Sequence, residues 1–161
     1  MTLPEPPNTP SAPPARTEPA TGAGGAAIAT DVLVIGGGPA GTTAATFLAR
    51  RGWKVTLLEK DGRPRFHIGE SLLTMNLPIL ERLGVLEQVR AIGVYKPGAD
   101  FPMRGDADSV NVFRFDRALN PRFGHAFQVK RAGFDTLLFD NALASGVDAR
   151  QQVKVEQGEF G

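Results

Sequence analysis

The fold class this sequence predicts is α/β, built around one βαβ unit. Three observations predict it: a short aliphatic run, "VLVI" at Val32–Ile35, a glycine-rich turn directly behind it, "GGGPAG", and a second aliphatic run, "KVTLLE". The first run is rich in β-branched residues and bounded by glycine, which suits a strand buried on both faces. Pro39 fits the first turn of a following helix, where its missing N–H is harmless. That helix should run to about Arg51, with Gly52 as its stop. "KVTLLE" then supplies the parallel strand of a right-handed crossover.

Before this unit, residues 1–29 are dominated by Pro, Ala, Thr and Gly ("PEPPNTPSAPPARTEPATGAGGAA"). Such a stretch has almost no side chain able to form a core and reads as a disordered tail. Residues 30–161 read as the ordered part. A helical pattern starts at Glu70, with Leu73, Leu77 and Leu80 sharing a face. Asn76 is placed to cap a helix that Pro78 enters and Gly84 ends. "VLEQVRAIG" reads as a further short helix. Between Val94 and Phe127 the pattern changes to antiparallel strand, in "SVNVFRF" with Val110 and Val112 on one side, and in "GHAFQV". "GFDTLLFDNALASG" is again helical, with Phe134, Leu137, Leu138 and Ala142 on one face, Asp135 in the first turn and Gly146 as the stop. "VDARQQVKVEQ" begins a last strand in which Val153 and Val155 alternate. The closing "GEFG" reads as a hairpin turn without a returning strand, as expected of the N-terminal piece of a longer protein.

The chain has 161 residues, room for one domain of ordinary size. Its formal net charge of +1 gives no electrostatic case for nucleic acid or for an anionic membrane surface. It contains no cysteine, which excludes disulfides, thiolate metal sites and a cysteine nucleophile. His67 and His125 lie far apart without metal-ligand spacing, so no metal site is expected. No apolar run approaches the roughly 20 residues of a membrane span, and there is no secretory signal pattern. A soluble, cytoplasmic protein is the expectation.

Gly36, Gly38 and Gly41 form G-x-G-x-x-G, completed by Gly37 and Ala40. Gly36 allows a tight turn, Gly38 lets a pyrophosphate approach the backbone, and Gly41 lets helix and strand pack closely. The helix N-terminus offers free N–H groups and a positive dipole end to phosphate. Glu59, at the end of the second strand, stands where a ribose-hydroxyl acceptor is expected and disfavours a 2′-phosphate. A glycine-rich turn without ligand is the bland alternative. The arrangement is a Rossmann-like dinucleotide site.

The string "VLVIGGGPAGTTAATFLARRGWKVTLLEK" resembles the FAD-binding start of the flavoprotein monooxygenase superfamily, of glutathione-reductase-type fold. "PRFHIGESLL" narrows the resemblance to the flavin-dependent halogenases, particularly the phenol and pyrrole branch, and some hydroxylase and reductase relatives. It extends over about residues 30–155. The fold it implies is an FAD-binding domain with an inserted antiparallel β region, incomplete relative to the family. It also implies FAD as cofactor, with Gly36, Gly37, Gly38, Ala40, Gly41 and Glu59 around its ADP half.

Further roles are implied residue by residue. Glu70 of "HIGES" matches a flavin-contacting glutamate; the plain alternative is an acid at a helix N-terminus. Lys96 of "YKPGADF" matches the lysine that engages hypohalous acid and delivers electrophilic halogen; the alternative is a surface lysine. Arg131 of "QVKRAGFD" matches an FAD-contacting arginine; the alternative is a salt-bridged arginine at a helix start. His67 carries no catalytic expectation. The resemblance implies a halogenase that takes reduced FAD from a separate flavin reductase, with oxygen and halide, and halogenates an aromatic substrate, free or tethered to a carrier. The family's W-x-W-x-I-P motif and its later Gly-Asp segment are not in this sequence. A related FAD monooxygenase or hydroxylase, a geranylgeranyl-reductase-like oxidoreductase, and an inactive FAD-binding remnant therefore stay open.

Overall fold

The structure, a computed structural model, describes residues 29–103, 106–119 and 121–158. The expected disordered tail lies, but for Ala29, outside the described residues, as do Glu159 to Gly161 of the closing turn. The βαβ unit forms as expected: β1 (Val32–Ile35), α1 (Pro39–Ala49) and β2 (Val55–Leu58). β1 and β2 pair in parallel, Val32 opposite Val55 and Ile35 opposite Leu58. After β2 come α2 (Leu77–Leu83) and α3 (Leu86–Ile92), then β3 (Val94–Lys96), β4 (Gly98–Met103), β5 (Asp106–Arg114) and β6 (Ala126–Gln128). The chain closes with α4 (Arg131–Ala144) and β7 (Asp148–Arg150). β7 pairs in parallel with β2, giving a sheet ordered β1-β2-β7 with β2 in the middle.

The inserted antiparallel region is present as two ribbons. β3 pairs with β6, and β4 with β5. β4 carries Pro102 and Gly98, which hid it from a strand reading.

Several expectations are corrected. β1 is not buried on both faces, for Leu33 is 50% and Ile35 65% exposed. Side chains alternate along a strand, so Val32 and Val34 turn to the core of α1 and α4 while Leu33 and Ile35 point the other way. The helical pattern from Glu70 fails too. Glu70 to Leu73 are extended, a 3-10 turn covers Thr74–Asn76, and α2 begins only at Leu77, leaving Leu73 exposed. Asn76 stands at the N-cap of α2 as expected, but its side chain makes no bond to that helix; its Oδ1 accepts the Leu73 N–H at 2.8 Å instead. Gly84 does end α2, at φ 75°. α4 starts at Arg131, earlier than expected, which moves Asp135 out of the first turn. The last strand is only Asp148–Arg150, and Val153 and Val155 lie beyond it.

Two buried clusters hold the fold. One joins α2, α3 and β6 through Leu77, Leu80, Leu83, Val89 and Phe127. The other seats Val55 and Leu57 of β2 against Ala45 of α1. α4 serves both: Phe134 and Leu138 enter the first, Phe139 and Ala142 the second. At about 1.5–3 kcal/mol for each large buried side chain, α4 is the main tie between them.

Candidate functional site

The site begins at the turn between β1 and α1. Gly36, at φ 104°, donates its N–H to the Leu58 carbonyl at 2.8 Å, fixing the turn to β2. Gly38 is the N-cap of α1, no side chain caps the helix, and Pro39 follows at its start. The Ala40 and Gly41 N–H groups are therefore left without intrahelical partners, at the positive end of the helix dipole. A Cβ placed on Gly38 would meet nothing within 4 Å, so the approach is open. A Cβ on Gly41 would fall on the Gly36 carbonyl oxygen, so helix and turn close only around glycine. An open, uncapped helix start fits the pyrophosphate of a dinucleotide.

Glu59 follows β2 and is 3% exposed. Its Oε2 accepts the Gly37 N–H at 2.6 Å and its Oε1 the Asp61 N–H at 3.0 Å. Arg65 lies 3.8 Å from Oε2. Burial pushes the Glu59 carboxyl up, but these two N–H groups and the charges of Arg65 and Arg63 outweigh it, leaving it below the ordinary value. A carboxylate has about four lone-pair positions, so a ribose hydroxyl can still be accepted. Arg63 donates to the Gly37 carbonyl and rests 4.4 Å from the centroid of the Phe139 ring. Arg63 Nε and Nη1 and Arg65 Nε are buried and find no partner among the described residues. Sequence reasoning missed both arginines, although "DGRPR" directly behind Glu59 was the available signal.

The segment after them runs extended against β6. Leu72 N–H donates to the Phe127 carbonyl at 3.0 Å, Val129 N–H to the Glu70 carbonyl at 2.8 Å, and Ser71 forms a bridge with Gln128. Glu70 is half-buried, and its carboxylate makes no hydrogen bond or ion pair among the described residues. The helix N-terminus alternative for Glu70 falls, because α2 begins well after it. On the far side of β6, Lys96 stands opposite Ala126. Its Nζ donates to Ser71 Oγ at 2.5 Å and to the Leu72 carbonyl at 3.2 Å, and lies 5.3 Å from the Phe115 ring centroid.

Arg131 opens α4 and is largely buried. It forks onto Asp135 with Nε at 2.8 Å and Nη2 at 3.1 Å, while Nη1 donates to the Ile68 carbonyl at 2.8 Å. The salt-bridged reading of Arg131 describes its present contacts. A cavity of about 410 Å³ brings Ala40 of the glycine turn together with Gly69 and Arg131. A second, of about 360 Å³, is lined by His67, Gly69, Glu70, Ser71 and Gln128. Gly69 borders both, which puts Ala40, Arg131 and Glu70 around two adjoining cavities, while Lys96 lines neither and meets this segment through Ser71 and the Leu72 carbonyl. Gly36 and Gly37 lie on the turn that leads into α1, and Glu59, just after β2, is tied to that turn by the Gly37 N–H.

A family profile described as "FAD binding domain" matches residues 29–159. The chain is 44% identical over 132 residues to a tryptophan 2-halogenase of Chondromyces crocatus, covering 81% of this chain and 24% of that protein. Among solved structures, the myxobacterial chondrochloren halogenase matches with a TM-score of 0.70 at 41% identity, over 76% of this chain and 28% of that one. A flavoprotein/dehydrogenase from Cytophaga hutchinsonii matches with a TM-score of 0.75 at 41% identity, over 81% of this chain and 32% of that one. The chain thus spans about a quarter of the length of the curated relative.

Proposed function

The chain belongs to the FAD-binding domain family, and on that premise we propose that the protein is a flavin-dependent halogenase in which this chain forms the FAD cradle and presents the halogen-directing lysine. The single observation that carries the reading is the reach of Lys96 to Ser71 and Leu72, on the segment whose Gly69 borders the cavity at the start of α1.

Each residue then has a task. Gly38, Ala40 and Gly41 receive the pyrophosphate, Glu59 the ribose, and Gly36 and Gly37 shape the turn between them. Gly69 lets the cofactor lie close to the backbone, and Glu70 supplies an uncommitted acceptor beside it. Arg131 holds Ile68 in place and offers positive charge at the cavity wall. Reduced FAD, delivered by a separate flavin reductase, would supply two of the four electrons that oxygen takes up, the halide losing the other two as it becomes hypohalous acid and water is released. Lys96 holds that acid by hydrogen bond against an electron-rich aromatic, free or carrier-tethered. Halogen replaces a ring proton, and water leaves, so no further oxidant is needed. The amine must be a compact donor that can also give up its proton, which lysine satisfies and arginine does not.

The test is turnover of the full-length protein with reduced FAD, oxygen, bromide and an electron-rich phenol or pyrrole, read by mass spectrometry. Halogenated product is expected from the wild type. Lys96→Ala should abolish it while FAD affinity stays within about twofold. Halogenation that survives in Lys96→Ala sinks the role of the lysine. A related oxidoreductase is the second reading, favoured by the likeness to a flavoprotein/dehydrogenase. Substrate oxidation or reduction without halogen incorporation would establish it.

A further inference from the structure

We propose that Ser71 is a positioning residue for Lys96: its hydroxyl links the cavity-lining segment to the amine and sets where that amine points. The proposal rests on the halogenase reading and goes beyond it.

Four observations support it. Ser71 Oγ is the nearest partner of Lys96 Nζ, at 2.5 Å. The Ser71 backbone is itself fixed by its bridge to Gln128 and by the flanking bonds of Glu70 and Leu72 to β6. Between Lys96 and that segment lies Ala126, fully buried and without side-chain bulk. A larger residue at Ala126 would stand in the path of the lysine stem. Finally, Ser71 lines the same cavity as Gly69 and Glu70, so it reports directly on the segment placed against the cofactor.

The chemistry of the hydroxyl suits the task. An ammonium has three donors and no acceptor. Two of them are committed, to Ser71 Oγ and the Leu72 carbonyl, leaving one for a ligand. When the amine has given up a proton, a carbonyl can only accept, but a serine hydroxyl can turn and donate to the nitrogen lone pair. Ser71 can therefore hold Lys96 in the same place on both sides of a proton transfer. Threonine keeps this ability and alanine loses it.

The experiment uses the full-length protein and two readouts. The first is the rate of trace acetylation of Lys96 in the resting protein, measured by peptide mass spectrometry. Ser71→Ala is expected to raise it at least threefold, and Ser71→Thr to leave it within twofold of wild type. The second is halogenation. Loss of one hydrogen bond to a charged group should lower kcat by about tenfold in Ser71→Ala. FAD affinity and the KM for the aromatic should stay within twofold, and Ser71→Thr should restore most of kcat. Unchanged acetylation in Ser71→Ala, unchanged kcat, or failure of Ser71→Thr to restore it overturns the proposal. Failure of the halogenase reading looks different: the wild type itself would incorporate no halogen, whatever Ser71 does to acetylation.

Discussion

At the scale of single residues, Gly38 and Glu59 separate binding from folding. Gly38→Ala has open space for its methyl group. It should cost at most about 1 kcal/mol as a poorer helix cap, yet weaken FAD binding tenfold or more, because the methyl group faces the phosphate approach. Thermal melting beside FAD titration checks both halves. Glu59→Gln keeps the shape but sets an amide against the Gly37 or Asp61 N–H, and should cost about 1–3 kcal/mol at pH 7. Because the native Glu59 carboxyl titrates below its ordinary 4.5, its contribution is full above that value. It is lost as pH falls from there through the lowered native value. Urea midpoints of wild type and Glu59→Gln should therefore draw together as the pH is lowered below 4.5; a gap that does not narrow contradicts the assignment. The glycines and Glu59 stand out in the sequence as residue types at fixed offsets, whereas Lys96 and Arg131 come only from the family resemblance. Arg63 and Arg65 were only hinted at, since "DGRPR" places two arginines close behind Glu59 but does not show that they fold back onto the glycine turn. The partner Asp135 was legible only as a helix-start acid, because the frame of α4 was set too late.

At the scale of elements, α4 carries the most weight. Phe139 is fully buried between the sheet and α1 and carries the Arg63 guanidinium on its ring. Phe139→Ala should cost about 3–5 kcal/mol and loosen Arg63 at the turn, so FAD affinity should fall with stability. Asp135→Ala leaves Arg131 largely buried without its carboxylate, at a cost of about 3 kcal/mol. It also frees the hold on the Ile68 carbonyl. Denaturant unfolding measures both. The helices were legible wherever an apolar face met a clear stop, as in α1, α2 and α4. The extended Glu70–Leu73 segment was not: its leucines mimic helical spacing, and the pairing that makes it extended comes from β6, more than fifty residues away. Long-range pairing overrides local periodicity here.

At the scale of the whole molecule, β1 turns one face to the core and leaves the other open, while Thr56 beside it on β2 is buried. Leu33 and Ile35 on the open side add to the exposed Val110, Val112 and Phe113 of β5. This 161-residue chain, produced by itself, should bind an apolar dye, and Leu33→Thr with Ile35→Thr should reduce that signal while changing stability little. The α/β class was legible from three short strings, but the strand order was not, because periodicity says nothing about which strand lies beside which. That order has a consequence for how the protein is made. The glycine turn leaves the ribosome early, yet the second edge of β2 is closed by β7, about ninety residues later. Glu59 is held between the Arg150 carbonyl and the Val153 N–H of that late segment. At roughly 5–20 residues per second, the wait is on the order of 5–20 s. Through that interval the nascent chain carries a nucleotide motif that is written but not yet assembled. Closure of the β2 edge therefore waits for β7 to emerge, and a ribosome paused before β7 should hold a polypeptide that does not retain FAD.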